Sequence, residues 1–526
     1  MKKLLLLTAI GLFIITMQAC RQTEEEDWRK DFAQAETSEI LKNDISVCYN
    51  AFPISYADSN NDGYGDLRGI AENIDYLADT LGVDCLWLNP IHPSPTYHKY
   101  DVLDYYDIDP QFGTMEDFEY LIQVATDHNI VIVMDLVINH TAYNHPWFIN
   151  SRLGEDSEYR NWYSWNDLSD QSAFPRRQNW HRHGDSYYYG SFWSQMPELN
   201  YDEVAVRAEM KNIFDFWLDK GVLGFRIDAA RHIYDRDQYP IGTDVNAYNI
   251  QLFMELNDHI NTRNPNAFMI GEIWSNDPNY VGAFFQGMDA TFNFELADKT
   301  MDAIRLGTDP GIAEMLSTML EVYGEYRTDF VDNVFLTNHD KNRVADTLGY
   351  SEGRMRLAAH MLFTYPGVSW IYYGEELGMS GSKPDPSIRQ PFKWSMDSAY
   401  NTEGKPNGIH EWNARNQSLL GVYEQLLDET SLLNLYIELI ALKQNDVVLR
   451  HGDFEAFDTQ SNRLVGFFRS YGDTTYLVIH NLSANSQTMQ HDLTIDSIVY
   501  QSHQNTVNSG TIEVLPFSSM VVKINE

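Results

Sequence analysis

Residues 224–232 read GFRIDAARH. The run from Gly224 to Ile227 is short and apolar, as a buried parallel strand is, and it passes into polar residues at its C-terminal end. Arg226 and Asp228 are two positions apart, so on extended chain they point the same way. The pattern recurs on both sides of this stretch. DLVINH (Asp135–His140) closes an apolar run from Ile130 to Val137, GEIW (Gly271–Trp274) follows Phe268–Ile270, and TNHD (Thr337–Asp340) closes Asn333–Leu336. Ile45–Tyr49, Cys85–Leu88 and Trp370–Tyr373 are strands of the same kind, and Ala290–Phe292 is a weaker one. Between them lie amphipathic stretches such as Leu67–Leu81, Met115–His128, Val204–Lys220 and Arg354–Phe363. Strands alternating with helices give parallel βαβ units. A count near eight over about 400 residues predicts a closed (β/α)8 barrel of the α/β class.

The rhythm breaks between Asn139 and Asn200, a stretch that holds five of the twelve tryptophans (Trp147, Trp162, Trp165, Trp180, Trp193). It is too long for a loop and predicts a small inserted domain after the third strand. Beyond about Asn445, Leu464–Phe468, Thr475–Ile479, Asp492–Thr494 and Ser519–Ile524 predict a C-terminal antiparallel β-sandwich. The expected layout is barrel over 45–138 and 201–445, insert over 139–200 and sandwich over 446–526.

Residues 1–20 (MKKLLLLTAIGLFIITMQAC) have the two lysines, apolar run and small residue of a signal peptide. Ala19-Cys20 resembles a lipobox, with Cys20 as the lipidated mature N-terminus. The acidic run Thr23–Asp27 resembles a surface-export signal of some Gram-negative lipoproteins, and 21–44 reads as a polar tether. The expectation is an outer-membrane surface lipoprotein, or else a periplasmic or secreted protein, with membrane contact through the anchor alone. Acids outnumber bases 76 to 37, giving a formal charge of -39. Such a surface repels phosphates and excludes a nucleic-acid reader. It suits an exported protein with a neutral ligand. Three cysteines (Cys20, Cys48, Cys85) cannot build a disulfide framework.

Barrel enzymes carry their chemistry at the C-terminal ends of strands. Asp228, Glu272 and Asp340 are each at such an end, with His140, His339 and Arg226 beside them. Convergent acids without an evident metal cage suit acetal hydrolysis, in which one carboxylate attacks the anomeric carbon and a protonated one serves the leaving oxygen.

These segments, in this order, resemble the signature of glycoside hydrolase family 13, the α-amylase family. MPELN (Met196–Asn200), GVDCLWLNP (Gly82–Pro90) and GEELGM (Gly374–Met379) are similar to further motifs of that family. The resemblance runs from about Ile45 to nearly the end. It implies that Asp228 is the nucleophile, Glu272 the general acid and base, and Asp340 a third carboxylate that binds sugar hydroxyls and helps distort the ring. It implies that Arg226 keeps the nucleophile ionised and that His140 and His339 hydrogen-bond the sugar. Tyr100, in YHKYD with Asp101, would stack on the ring; Arg343 would support Asp340 or a hydroxyl. Arg231-His232 matches a Lys-His pair that contacts the sugar beyond the cleaved bond. Ala229, where relatives cutting α-1,6 bonds often carry valine, resembles the α-1,4-acting branch.

The expected activity is therefore endo-hydrolysis of α-1,4 bonds in starch, amylose and maltooligosaccharides by a monomer. Neopullulanase, cyclomaltodextrinase or transglycosylase activity and a non-catalytic glucan-binding role are the alternatives. Glucan-import proteins of the outer membrane are candidate partners. DSNNDGYGD (Asp58–Asp66) offers oxygen ligands at Asp58, Asn60, Asp62, the Tyr64 carbonyl and Asp66, with Gly63 at the turn, and resembles the start of an EF-hand loop; a structural Ca2+ is expected there. The family resemblance implies a second Ca2+ site at Asn139, Glu198 and the His232 carbonyl.

Overall fold

The computed structural model describes residues 44–170, 174, 177–397 and 412–525. The signal peptide, Cys20 and the tether up to residue 43 lie outside the described residues. Three strands open the chain: β1 (Val47–Ala51), β2 (Cys85–Leu88) and β3 (Val131–Leu136). The insert adds β4 (Trp165–Asn166), β5 (Trp180–His183) and β6 (Ser186–Tyr189). Then come β7 (Gly224–Ile227), β8 (Phe268–Gly271), β9 (Ala290–Phe292), β10 (Val331–Phe335) and β11 (Val368–Tyr372). Strands β1, β2, β3 and β7 to β11 pair in parallel, each with its sequence neighbours, and β11 closes on β1. The expected (β/α)8 barrel is what forms.

Side chains alternate along every strand between two apolar clusters. Val47, Tyr49, Leu86 and Phe225 face outward against the helices. Cys48, Cys85, Trp87, Val131, Val133, Phe268, Ile270, Phe292, Phe335 and Trp370 fill the lumen. A Cβ on Gly224 would come within 2.7 Å of Phe268 and Val133, so the lumen leaves room for glycine alone there. Each lumen column begins apolar and ends in charge: Val131, Val133, then Asp135; Phe268, Ile270, then Glu272. The register sets their heights, since Asp135 lies opposite Arg226 and Ile227 opposite Gly271, which brings Asp228 and Glu272 level.

Cys48 and Cys85, opposite each other on β1 and β2, form a disulfide. It is a single buried cross-link, consistent with cysteines too few for a framework.

In the insert, β4, β6 and β5 form an antiparallel sheet, and a bridge between His140 and Glu198 ties its two ends together. Trp147, Trp162, Trp165 and Trp180 pack within it, whereas Trp193 is 49% exposed and Phe192 51%. The C-terminal region holds a five-stranded sheet of β12 (Asp453–Ala456), β13 (Leu464–Tyr471), β14 (Thr474–Asn481), β19 (Ser519–Asn525) and β16 (Thr494–Gln501). A three-stranded sheet of β15 (Gln487–Gln490), β18 (Thr511–Val514) and β17 (Thr506–Asn508) faces it across Leu477, Ile479, Met489, Ile512 and Val522. Three local expectations change. Helix does not stop at Asn445, because Asp446 caps a further turn, Val447–His451. Asp492 lies between β15 and β16 rather than in a strand. The stretch Leu67–Leu81 also divides, into an α-helix Leu67–Glu72 and a π-helical turn Tyr76–Leu81.

Candidate active site

Arg226 organises the C-terminal mouth of the barrel. It is 1% exposed, and it is shared among three carboxylates. NH1 donates to Asp135 Oδ1 at 2.7 Å and to Asp228 Oδ1 at 2.8 Å, and NH2 meets Glu272 Oε1 at 2.9 Å. Asp228 and Glu272 thus sit on the two arms of one guanidinium. Glu272 Oε2 also accepts the Ala229 N–H at 2.8 Å, and Oε1 accepts the Trp274 indole N–H at 3.0 Å. Ala229 presents that N–H from a left-handed backbone, φ +49, which is strain stored beside the reacting groups.

Asp340 joins through Tyr100 and His339. The Tyr100 hydroxyl donates to Asp135 at 2.8 Å and lies 2.7 Å from His339 Nε2, which is 3.1 Å from Asp340 Oδ2. The Tyr100 and His339 rings are nearly parallel, with centroids 5.5 Å apart. All three acids singled out in the sequence therefore belong to one connected mouth.

Two assignments are corrected. Arg343 does not touch Asp340: its Nε and NH1 donate to the carbonyls of Ile388 and Tyr373, behind β11. Arg389 takes that place, with NH2 2.9 Å from Asp340 Oδ1 and Nε on the His339 carbonyl. Asp101 is 1% exposed, and its carboxylate accepts the hydroxyls of Ser94 and Thr96, so it holds the loop that carries Tyr100 instead of facing a ligand.

The remaining predicted residues ring the mouth. His140 Nε2 donates to the Tyr100 carbonyl at 3.0 Å, and its Nδ1 lies 3.2 Å from Asn139 Nδ2. His232 Nδ1 pairs with Asp235 at 2.7 Å. Phe192 stands between these two histidines, 5.6 and 5.5 Å from their rings. Arg231 donates to the Trp274 carbonyl and lies over Tyr280. Asp135 and Trp274 lie within DLVINH and GEIW, whereas Arg389 and Phe192 lie outside every motif that marks the site in the sequence.

Charge in the mouth is unbalanced: four carboxyls (Asp135, Asp228, Glu272, Asp340) face two guanidiniums. Burial lifts the Asp228 carboxyl well above the usual range; Arg226 opposes this, while Glu272 and Asp135 reinforce it. Arg226, divided among three acids, lowers Asp228 without cancelling its burial, and the proton so retained belongs to the crowded carboxyls together, not to Asp228 alone. Burial also raises Asp135. Asp340 goes the other way, because His339, Arg389 and Arg226 outweigh its burial and hold it well below the usual range. Burial drops His140 to about 4, so it is neutral. A pocket of this charge retains a proton that dispersed acids would lose, and acetal cleavage needs one.

The Asp58 loop fits a hard cation in donor chemistry. Asp58 accepts the N–H groups of Asn60, Asn61 and Gly63, Asn60 that of Asp62, and Asp62 that of Tyr64. Successive turns of this kind coil Asp58, Asn60 and Asp62 around one loop, with Gly63 at φ +92. Asp66 departs from the expected set. It accepts from Gly69 at the start of Leu67–Glu72 and from Ser59. Among the described residues, one acid–histidine trio has ligand atoms within 4.8 Å of one another, Asp75, Asp79 and His128, and both acids in it are exposed. At the second expected site Asn139 Oδ1 is buried and meets no hydrogen-bond donor. Glu198 accepts Ser191 on Oε1 and the Gln238 amide N–H on Oε2 at 2.9 Å, and burial pushes it up to about 8.

Comparison with known proteins agrees with this geometry. Residues 50–452 match the family model described as alpha amylase, catalytic domain, and residues 464–521 the one described as the alpha-amylase SusG C-terminal domain. "Alpha-amylase 3" of Dictyoglomus thermophilum is 39% identical over 91% of this chain and 93% of its own. "Alpha-amylase SusG" of Bacteroides thetaiotaomicron is 26% identical over 95% and 94%. The crystal structure of an alpha-amylase from H. orenii superposes with a TM-score of 0.83 at 32% identity, covering 92% of this chain and all of that one. Other relatives include an oligo-1,6-glucosidase of Bacillus cereus, 27% identical, and a 4-alpha-glucanotransferase of Thermotoga neapolitana, 31% identical.

Proposed function

The chain belongs to the α-amylase family of glycoside hydrolases, and on that premise we propose that it cleaves internal α-1,4 bonds of starch, amylose and maltooligosaccharides with retention at the anomeric carbon. The observation that carries this reading is the placing of Asp228 and Glu272 on the two arms of the Arg226 guanidinium. Two carboxyls held that close fit the short separation of about 5–5.5 Å of a double displacement. Glu272 protonates the leaving oxygen while Asp228 attacks the anomeric carbon and forms a glycosyl ester. Glu272, now ionised, then takes a proton from the water that hydrolyses that ester. Asp340, kept ionised by Arg389 and His339, accepts hydrogen bonds from sugar hydroxyls, and Tyr100 lies against the ring. Arg231, His232 and Phe192 line the approach, and Ala229 keeps the side chain beside the nucleophile small.

A second reading, transfer to a sugar acceptor, draws support from the glucanotransferase and glucosidase relatives. A product profile of the purified mature chain on amylose, pullulan and cyclodextrin separates the two. Maltooligosaccharides from amylose, with pullulan and cyclodextrin spared, are expected. Longer chains built from maltooligosaccharide donors would favour transfer, and no turnover of any of them would leave a glucan-binding role.

Residues 1–20 and the Cys48–Cys85 disulfide support export to an oxidising compartment. Lipidation of Cys20, display on the outer membrane, partnership with glucan importers and a monomeric state belong to the same proposal. We assign a structural Ca2+ to Asp58, Asn60, Asp62 and the Tyr64 carbonyl, where it would fix the loop after β1 and take no part in bond cleavage. EDTA is expected to lower the melting temperature by several degrees, with calcium restoring it. An unchanged melt, with no calcium by elemental analysis, removes this site.

A further inference from the structure

Glu272 accepts two hydrogen bonds and forms one ion pair, and these three contacts have different sources. The Ala229 N–H is backbone, and Arg226 is buried and bound to two other acids. The third, from Trp274 Nε1 to Oε1 at 3.0 Å, comes from a side chain that is 41% exposed. That indole is held on several sides. Its ring stacks on Phe294 with centroids 4.3 Å apart, its backbone carbonyl accepts Arg231, and Lys341 Nζ lies 5.4 Å from its ring centroid. The N–H therefore points at the acid from a fixed seat, although the ring is open to a ligand.

We propose that Trp274 is a positioning residue for Glu272: its indole N–H aims the carboxyl and sets the upper pH at which that carboxyl can still deliver a proton to the leaving oxygen. The inference rests on the reading of Glu272 as the acid. An N–H donor favours the ionised carboxylate, whereas the first half of the reaction needs the neutral acid. Ala229 and Arg226 bias Glu272 the same way and cannot move. Trp274 is the donor whose removal leaves the nucleophile and its guanidinium intact. It is also the one a sugar at the mouth can touch.

The Trp274→Phe variant keeps an aromatic ring on Phe294 and deletes the N–H. The pH profile of kcat/KM is measured on amylose and on α-maltosyl fluoride, whose fluoride departs without a proton. The alkaline limb on amylose is expected to move up by about one pH unit, the size of one hydrogen bond to a charged group. The kcat/KM for the fluoride, set by the first step, is expected to stay within about two-fold, since its leaving group makes no use of the acid. Phe294→Leu, which retains the N–H and loosens its seat, is expected to move the limb the same way and less. An alkaline limb unmoved in Trp274→Phe overturns the proposal. So does an equal loss on both substrates, which marks a packing or sugar-stacking role. Failure of the unsubstituted enzyme on both substrates overturns the proposed function itself.

Discussion

Two groups of carboxylic acids lie in the same barrel, and they have opposite surroundings. At the mouth, Asp135, Asp228, Glu272 and Asp340 touch Arg226 or Arg389 directly. Behind β11, Glu375 and Glu376 meet hydroxyls instead. Tyr436 and Thr337 donate to Glu375 at 3.0 and 3.2 Å, and Tyr49 and Tyr76 donate to Glu376 at 2.7 and 3.0 Å. Arg343 is close by, yet its Nε and NH1 donate to backbone carbonyls. Burial pushes Glu375 up to about 8 and Glu376 up to about 7. Neutral donors do not replace the hydration a carboxylate loses; at Asp340, which keeps part of its exposure, His339, Arg389 and Arg226 together outweigh the loss, whereas Asp228 and Asp135, also against Arg226, stay raised. Burial alone therefore does not mark a reactive acid. The mouth differs in having guanidiniums in contact with an excess of carboxyls, so that one proton can be held and moved.

The hardest test of that contrast is Asp228→Asn. The shape and the approach of Arg226 are kept, while the attacking oxygen is lost. Turnover of amylose is expected to fall by about 10^4-fold or more, with glucan binding retained by a pull-down on insoluble starch. Activity near that of the parent would place the nucleophile elsewhere and break the distinction between the two groups.

Most of this arrangement could be read in the chain, for a physical reason. A lumen column alternates with period two, so a polar residue ending an apolar run has one place to go, and Asp228, Glu272 and His339-Asp340 each declare themselves that way. The barrel was legible from the same runs; β9 was faint because only Ala290–Phe292 pair there. Arg389 was not legible. It reaches Asp340 from 49 positions away, out of the loop after β11, and nothing in its neighbours signals the contact. Arg343 looked better because it is three residues from Asp340, but it begins the short helix Val344–Thr347 and turns its side chain behind the sheet. Asp101 misled in the same way, being next to Tyr100 in sequence and pointing into its own loop. The Cys48–Cys85 link needed the register of β1 on β2, which cysteine counting cannot supply.

The smaller effect tests the other half of the contrast. Glu376 is neutral in the fold up to about 7, against an ordinary value of 4.5. Between these two values the unfolded chain releases a proton that the folded chain keeps. The stability contributed by the neutral form is therefore complete below about 4.5 and is lost as pH rises through about 7. Glu376→Gln retains an oxygen for Tyr49 and Tyr76 and removes the ionisation. The variant is expected to match the parent at pH 4.5 and to exceed it at pH 8 by about 2 kcal/mol, a few degrees in melting temperature. His92, His140 and the other remote titrating groups cancel in the difference between variant and parent, so its slope belongs to Glu376 and to the neighbouring Glu375, whose carboxyl Glu376 raises. Parallel stability curves for the two proteins would mean that Glu376 is already charged behind β11, and that contact with a guanidinium is not what separates the mouth from the rest of the barrel.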